Sequence, residues 1–431
     1  PGRATPETGV GGQEVTGNPW LSHGPILADL GADEARVHAV TMWQYVGKPA
    51  VKEASMISRI ASHHVVARDG SDSPATITVE AGRIAKVGEG IDPQAELVDE
   101  WILPGYVDTH CHGGAGADFT DPDHDAAVRA VAYHRSQGST TLFASTVTAA
   151  IDDVVDQVGR LRQLIDEDEI AGIHLEGPFL AESRKGAHAV ELLCDPDPVS
   201  VDRLIEAGGS ALRMVTIAPE REHGLEAVAT FSKAGVHAAI GHTECDNTTA
   251  SAAVDAGSDV ITHLFNAMPS IHHRKPGPVP PMLTDPRVVC ELICDGVHLA
   301  PDVIRMAILA AGPQRIALVT DAMSATGQPD GDYILGSLPV KVVDGRARLL
   351  AADGSLGAIA GSTLTMGHAV EFVTSVVGLP LGQVAVMAAT TPAELHGLSE
   401  VGVLEEGRWA DMCLTDEKGR LVRVIRRGES V

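Results

Sequence analysis

Histidines and carboxylates recur along this chain in short polar clusters, each closing a run of apolar residues. The clusters are Asp108-Thr109-His110-Cys111-His112, His174-Leu175-Glu176-Gly177-Pro178, Gly241-His242-Thr243, Thr262-His263 and Thr320-Asp321. Imidazole nitrogens combined with a carboxylate suit Zn2+ and similar divalent ions, which make hydroxide available near neutral pH. A second carboxylate nearby can accept a proton from water and later deliver it to a leaving group. In an extended chain, residues two apart face the same way, so His110 and His112 can approach one ion together. Glu176, His242, His263 and Asp321 complete the candidate set. A lone histidine is more often a structural hydrogen-bonding residue. His134, His223 and His237 are read that way, with His63 and His64 as surface or packing residues.

Residues so dispersed need a scaffold that gathers them. The apolar runs fall at 105–110, 140–146, 170–176, 212–218, 236–242, 260–263, 289–295 and 316–321. Stretches of helical length separate them, among them 125–137 and 151–166. This alternation predicts an α/β fold, a TIM-like (β/α)8 barrel, whose C-terminal strand ends meet at one mouth. The six residues then converge without being close in sequence. A doubly wound nucleotide-binding sheet is excluded, because no G-x-G-x-x-G is present and Gly113-Gly114-Ala115-Gly116 has the wrong spacing.

Strand-like segments at 57–67, 75–80 and 83–87 match others at 411–415 and 421–426, with turns at Ala81-Gly82 and Lys418-Gly419. They predict a small β-sandwich domain formed by the two chain ends, 56–104 and 398–431, around a catalytic barrel at 105–397. Residues 1–55 read as a disordered extension that contributes no chemistry.

Fifty-eight acidic residues against 32 basic ones give a formal charge of −26, a surface that repels nucleic acid and anionic membranes. A small anionic substrate stays compatible with this, because a few local cations reverse the field in one pocket. No run approaches the roughly 20 apolar residues of a membrane span, and no secretory signal is expected. Six scattered cysteines without a C-x-x-C pair point to reduced thiols and a cytoplasmic location, with Cys290 and Cys294 as buried small hydrophobes.

Pro104-Gly105-Tyr106-Val107-Asp108-Thr109-His110-Cys111-His112-Gly113 resembles the first-strand signature of the amidohydrolases. Within that superfamily the chain is similar to the N-acetylglucosamine-6-phosphate deacetylases. The similarity lies in 174–179, Lys185-Gly186-Ala187-His188, 263–268, Asp295-Gly296-Val297-His298, 320–323 and Ala360-Gly361-Ser362. The resemblance implies Glu176, His242 and His263 as principal metal ligands and His110 with His112 as a second position. It implies Asp321 as catalytic acid/base and possible ligand, and His188 as the group polarising the amide carbonyl. Ala187, Ile359, Ala360 and Gly361 are implied as substrate contacts, and Asn266 and Ala267 as phosphate contacts. Arg274 and His298 are implied to bind phosphate from a neighbouring subunit, which makes a homodimer the expected state. Guanidinium suits that task because its planar donors engage two oxygens at once.

The expected reaction is metal-dependent hydrolysis of the acetamido group of N-acetylglucosamine 6-phosphate, in amino-sugar catabolism or cell-wall recycling, with one or two ions, Zn2+ first. Two rivals are another amidohydrolase reaction, such as cyclic amide opening or deamination, and a non-catalytic assembly protein on the same fold. Ring-opening relatives that bridge two metals use a carboxylated lysine where this chain has Glu176, and assembly proteins typically lose ligands.

Overall fold

The computed structural model describes residues 57–431; the expected extension at 1–55 lies outside the described residues. Eight parallel strands follow one another around a barrel. They are β1 (Tyr106–Asp108), β2 (Ser139–Thr146), β3 (Gly172–Glu176), β4 (Leu212–Ile217), β5 (His237–Ile240), β6 (Val260–Ile261), β7 (Val289–Ile293) and β8 (Ile316–Val319). Every residue of β2, β3 and β8 is buried, as expected where helices cover the outer face and side chains fill the inner one. All eight candidate runs became barrel strands.

The ring closes between β8 and β1 through side chains as much as backbone. The Asp321 N–H donates to the carbonyl of His110 (2.8 Å), and Cys111 bridges Ala322 in parallel. Buried Asp108 accepts from the Thr320 N–H (3.2 Å) and the Thr320 hydroxyl (2.7 Å). Burial pushes the Asp108 carboxyl up to about 7, against the lowering effect of those donors.

The covering helices include α1 (His124–Ser136), α2 (Ile151–Asp166), α3 (Pro198–Gly208), α4 (Gly224–Lys233), α5 (Asn247–Ala256), α6 (Val279–Thr284) and α7 (Pro301–Ala311). Asp123, Asp197 and Asp246 cap α1, α3 and α5 by accepting from first-turn N–H groups that have no helical partner. In α2 the buried residues Val154, Val158, Leu161 and Leu164 form the stripe that meets the barrel. Helix and strand side chains merge into one core.

The chain ends pair as expected. Trp101–Pro104 runs antiparallel to Met412–Thr415, which ties the segment before the barrel to the segment after it. The strands Arg59–Val66, Asp72–Glu80, Arg83–Glu89, Glu96–Val98, Leu421–Arg426 and Glu429–Ser430 extend this into one eight-stranded sheet. The sheet has its own core, including Ile60, Ile77, Ile84, Ile102, Met412 and Ile425.

A second sheet was not anticipated. After β8 the chain forms four antiparallel strands, Gly331–Leu335, Leu338–Val343, Arg346–Leu350 and Leu356–Ile359. They lie inside the span assigned to the barrel and pack on it through Val147, Ala187 and Met323. Asp344-Gly345, both with positive φ (51° and 68°), makes the two-residue turn of the middle hairpin. That dipeptide between β-type runs is a hairpin signal readable in the sequence.

Candidate active site and metal centre

The barrel brings all six candidate residues to its mouth. His112 Nε2 lies 3.2 Å from His110 Nε2, from Glu176 Oε2 and from Asp321 Oδ1. On the other side of Glu176, Oε1 is 3.2 Å from His242 Nε2 and 3.0 Å from His263 Nε2, and those two nitrogens are 3.0 Å apart. Two donor sets therefore share one carboxylate: His110, His112, Glu176 and Asp321, and Glu176, His242 and His263. All six residues are buried.

The tautomers show what such a set demands. His242 Nδ1 is 2.8 Å from the Arg184 carbonyl, which can only accept, so the ring proton sits there and Nε2 presents a lone pair inward. His110 Nδ1 is likewise engaged, by Glu291 Oε2 at 3.1 Å. Lone pairs and carboxylate oxygens facing one another at about 3 Å repel unless a cation lies between them. The donor set fits a divalent metal of the Zn2+ type. For His110 and His112 burial acts to lower the pKa, but the surrounding carboxylates outweigh it. They hold His110 well above its usual value and His112 up to about 9. Burial raises Glu176 and Asp321, and the neighbouring imidazoles more than reverse it, so both stay ionised.

His188 also reaches the cluster, with Nε2 at 3.3 Å from Glu176 Oε2. The Thr148 N–H donates to its Nδ1 (3.4 Å), and the Thr148 hydroxyl is 2.8 Å from the same atom. An amide N–H can only donate, so Nδ1 accepts and Nε2 carries the proton into the site. Burial holds this imidazole down at about 4 despite Glu176, so at neutral pH it is an uncharged donor.

A cavity of about 320 Å³ opens over the cluster, lined also by Ala187, Asn266, Ala267, His298, Ile359 and Gly361. Ala360, between two lining residues, is itself fully buried against the inserted sheet. Asn266 turns its side-chain amide inward to the carbonyls of His263 (3.1 Å) and Leu264 (3.4 Å).

His298 lines the pocket of its own chain. Asp295 pins it through Nδ1 (2.7 Å) and its backbone N–H (2.8 Å) at the end of β7, and the side chain is only 7% exposed. Burial lowers its pKa, and Asp295 more than offsets this, which favours the cation. Arg274 stands apart, exposed in its loop beside His273 (2.7 Å).

Of the histidines read as structural, His134 contacts the Gly113 carbonyl (2.9 Å) and His237 pairs with Asp259 (2.8 Å); His223 is instead exposed, with Nε2 4.0 Å from Glu222.

Sequence reading missed Thr148, Arg184, Leu335 and Glu291, all of which line or brace the site. Glu291 alone left a plain signal, an acid in the middle of the otherwise apolar stretch Val289–Ile293. Arg184 is paired with Glu244 at the pocket wall.

A parallel barrel with this mouth defines a class, and the chain belongs to the amidohydrolase family, whose profile residues 101–431 match. Relatives within it narrow the class to the N-acetylglucosamine-6-phosphate deacetylases. The chain is 33% identical over 373 residues to the enzyme of that name from Lysinibacillus sphaericus, spanning 84% of this chain and 95% of the relative. It is 34% identical to the N-acetylgalactosamine-6-phosphate deacetylase of Escherichia coli O157:H7, spanning 74% of this chain and 84% of the relative. A mutant N-acetyl-D-glucosamine-6-phosphate deacetylase from Mycobacterium smegmatis, solved in complex with N-acetyl-D-glucosamine-6-phosphate, superposes with a TM-score of 0.83. That protein is 42% identical, over 87% of this chain and 99% of the relative.

Proposed function

We propose that this chain is a metal-dependent deacetylase that hydrolyses N-acetylglucosamine 6-phosphate to acetate and glucosamine 6-phosphate. The observation that carries the reading is geometric: one cluster holds both the Asp321 carboxylate, 3.2 Å from His112, and His188, whose Nδ1 accepts the Thr148 N–H so that Nε2 carries its proton toward Glu176 (3.3 Å). One group is a base and the other a donor to oxygen, which is what amide hydrolysis requires.

Glu176, His242 and His263 would hold one divalent ion, Zn2+ by donor type, and His110, His112, Glu176 and Asp321 a second. When bound, the metal polarises the carbonyl and makes water a stronger acid. Asp321 takes the proton of the attacking water and returns it to the amine as the C–N bond breaks. His188 donates from Nε2 to the carbonyl oxygen as it gains negative charge, with Thr148 holding the ring in that tautomer. His298, favoured as a cation by Asp295, supplies local positive charge for a phosphate in an otherwise acidic protein. Arg274, exposed and outside its own pocket, is free to serve a partner's site in a homodimer. Six free cysteines, five of them buried, favour a reducing compartment, the cytoplasm. Among the described residues no helix is long and apolar enough to cross a membrane.

The 4-epimer, N-acetylgalactosamine 6-phosphate, is a second reading that the Escherichia coli relative favours. Acetate release should be measured from both sugar phosphates and from unphosphorylated N-acetylglucosamine, before and after chelation and after Zn2+ is restored. Turnover of a phosphorylated sugar that disappears with the metal and returns with Zn2+ is expected. Equal turnover of the unphosphorylated sugar refutes phosphate recognition, and activity indifferent to chelation refutes the metal mechanism.

A further inference from the structure

Glu291 is the acid that the catalytic reading leaves without a task. It lies in β7 (Val289–Ile293), is 1% exposed, and points into the barrel below the cluster. Its Oε2 contacts His110 Nδ1 at 3.1 Å and accepts the backbone N–H of His263 at 3.3 Å. One carboxylate oxygen thus touches a ligand from each donor set. Its Oε1 has no hydrogen-bond partner among the described residues. A buried carboxylate held by so few donors is costly unless positive charge stands close by.

The two donor sets differ in how their imidazoles are braced. His242 leans on a neutral carbonyl, that of Arg184, and the Nδ1 atoms of His112 and His263 have no partner among the described residues. His110 alone among the four is braced by a carboxylate. It is also clamped on its ring by His174, edge-on at 4.5 Å, itself fixed by Ser145 (3.0 Å) and Thr216 (2.8 Å). A carboxylate on Nδ1 fixes the proton there, aims Nε2 at the ion and makes that nitrogen a stronger donor.

We infer that Glu291 is a positioning residue for the ion held by His110 and His112, and that removing it releases that ion while the other stays. The inference rests on the metal-dependent reading above and deepens it, because it makes two ions the working state. Glu291→Met removes the acceptor at similar volume, and Glu291→Gln keeps an acceptor and removes the charge.

Purified full-length protein, wild type and both variants, is dialysed against graded chelator after loading with Zn2+, and metal per chain is counted. Wild type should hold two ions. One ion should be lost at about 10-fold lower chelator strength in Glu291→Gln and about 100-fold lower in Glu291→Met, the range for groups that orient a ligand. The remaining ion should follow the wild-type curve. Unchanged retention of both ions in Glu291→Gln, parallel loss of both, or a wild type that holds one ion overturns the inference and leaves the metal reading standing. A wild type that takes up no metal overturns both. If Glu291→Met does not fold, the Glu291→Gln curve decides alone.

Discussion

At the scale of single residues, protonation states are set by what stands behind each side chain. His188 and His112 both touch Glu176 and are equally buried, yet burial takes His188 down to about 4 while carboxylates take His112 up to about 9. Asp321 faces His112 and the second acid Glu176 a short way off, and the imidazoles prevail. Asp321→Asn keeps the size and an oxygen donor but cannot accept a proton. It should lower kcat by about 100-fold or more, the usual contribution of a general acid/base, with the ion held by Glu176, His242 and His263 still bound. Steady-state kinetics with a metal count on the same preparation checks this, and near-normal turnover removes Asp321 from the mechanism.

At the scale of elements, the ends of the strands store strain. His242, His263 and Asp321 have φ values of 46°, 29° and 49°, in the left-handed region that non-glycine residues avoid. Each such residue costs of order 1 kcal/mol or more, and they cluster at functional sites. Here the turn swings each side chain from the strand line into the mouth. Beside His242, Gly186 is also left-handed (φ 52°), and a Cβ there would stand 3.0 Å from the His242 ring. Asparagine tolerates left-handed backbone better than histidine. His242→Asn should therefore raise the stability of the metal-free protein by roughly 0.5–1 kcal/mol while weakening metal binding. Melting of metal-free samples beside a Zn2+ titration reads both effects; a destabilised metal-free variant contradicts the strain argument.

At the scale of the whole molecule, the two ends of the barrel use buried histidine differently. At the mouth it is surrounded by carboxylates. Near the opposite end, His396 packs between Phe143 and His237, 2% exposed, and neither ring nitrogen has a partner among the described residues. Burial, with His237 and Arg213 nearby, drives its pKa well below the usual 6.5, so the fold accepts it neutral. The unfolded chain binds the extra proton, so its contribution to stability is intact above pH 6.5 and is lost as pH falls below that value. His134, held at about 4 by burial, acts in the same direction. His396→Leu should stabilise the protein by about 1 kcal/mol at neutral pH by removing unpaired polar atoms. Its melting temperature should also fall less steeply than wild type's from pH 6.5 toward pH 4. A variant with a steeper acid loss would falsify this account.

That the six candidate residues would meet was legible in the sequence because a barrel gathers its strand ends at one mouth. The clusters ending at His112, Glu176, His242, His263 and Asp321 could be placed together without coordinates. Order along the chain and the apolar period determined that much, since both are local. Glu291, Thr148 and the carbonyl of Arg184 act only across the barrel, 181 residues from His110 in the case of Glu291, and local pattern carries no information about such pairs. The four-stranded insertion after β8 escaped because its strands are short and half exposed, leaving little apolar contrast. Tertiary structure alone decided that His298 lines the pocket beside the cluster, that the Thr148 N–H meets His188 Nδ1, and that two donor sets share Glu176. Those properties depend on which groups stand opposite one another, and that is decided only once the ring has closed.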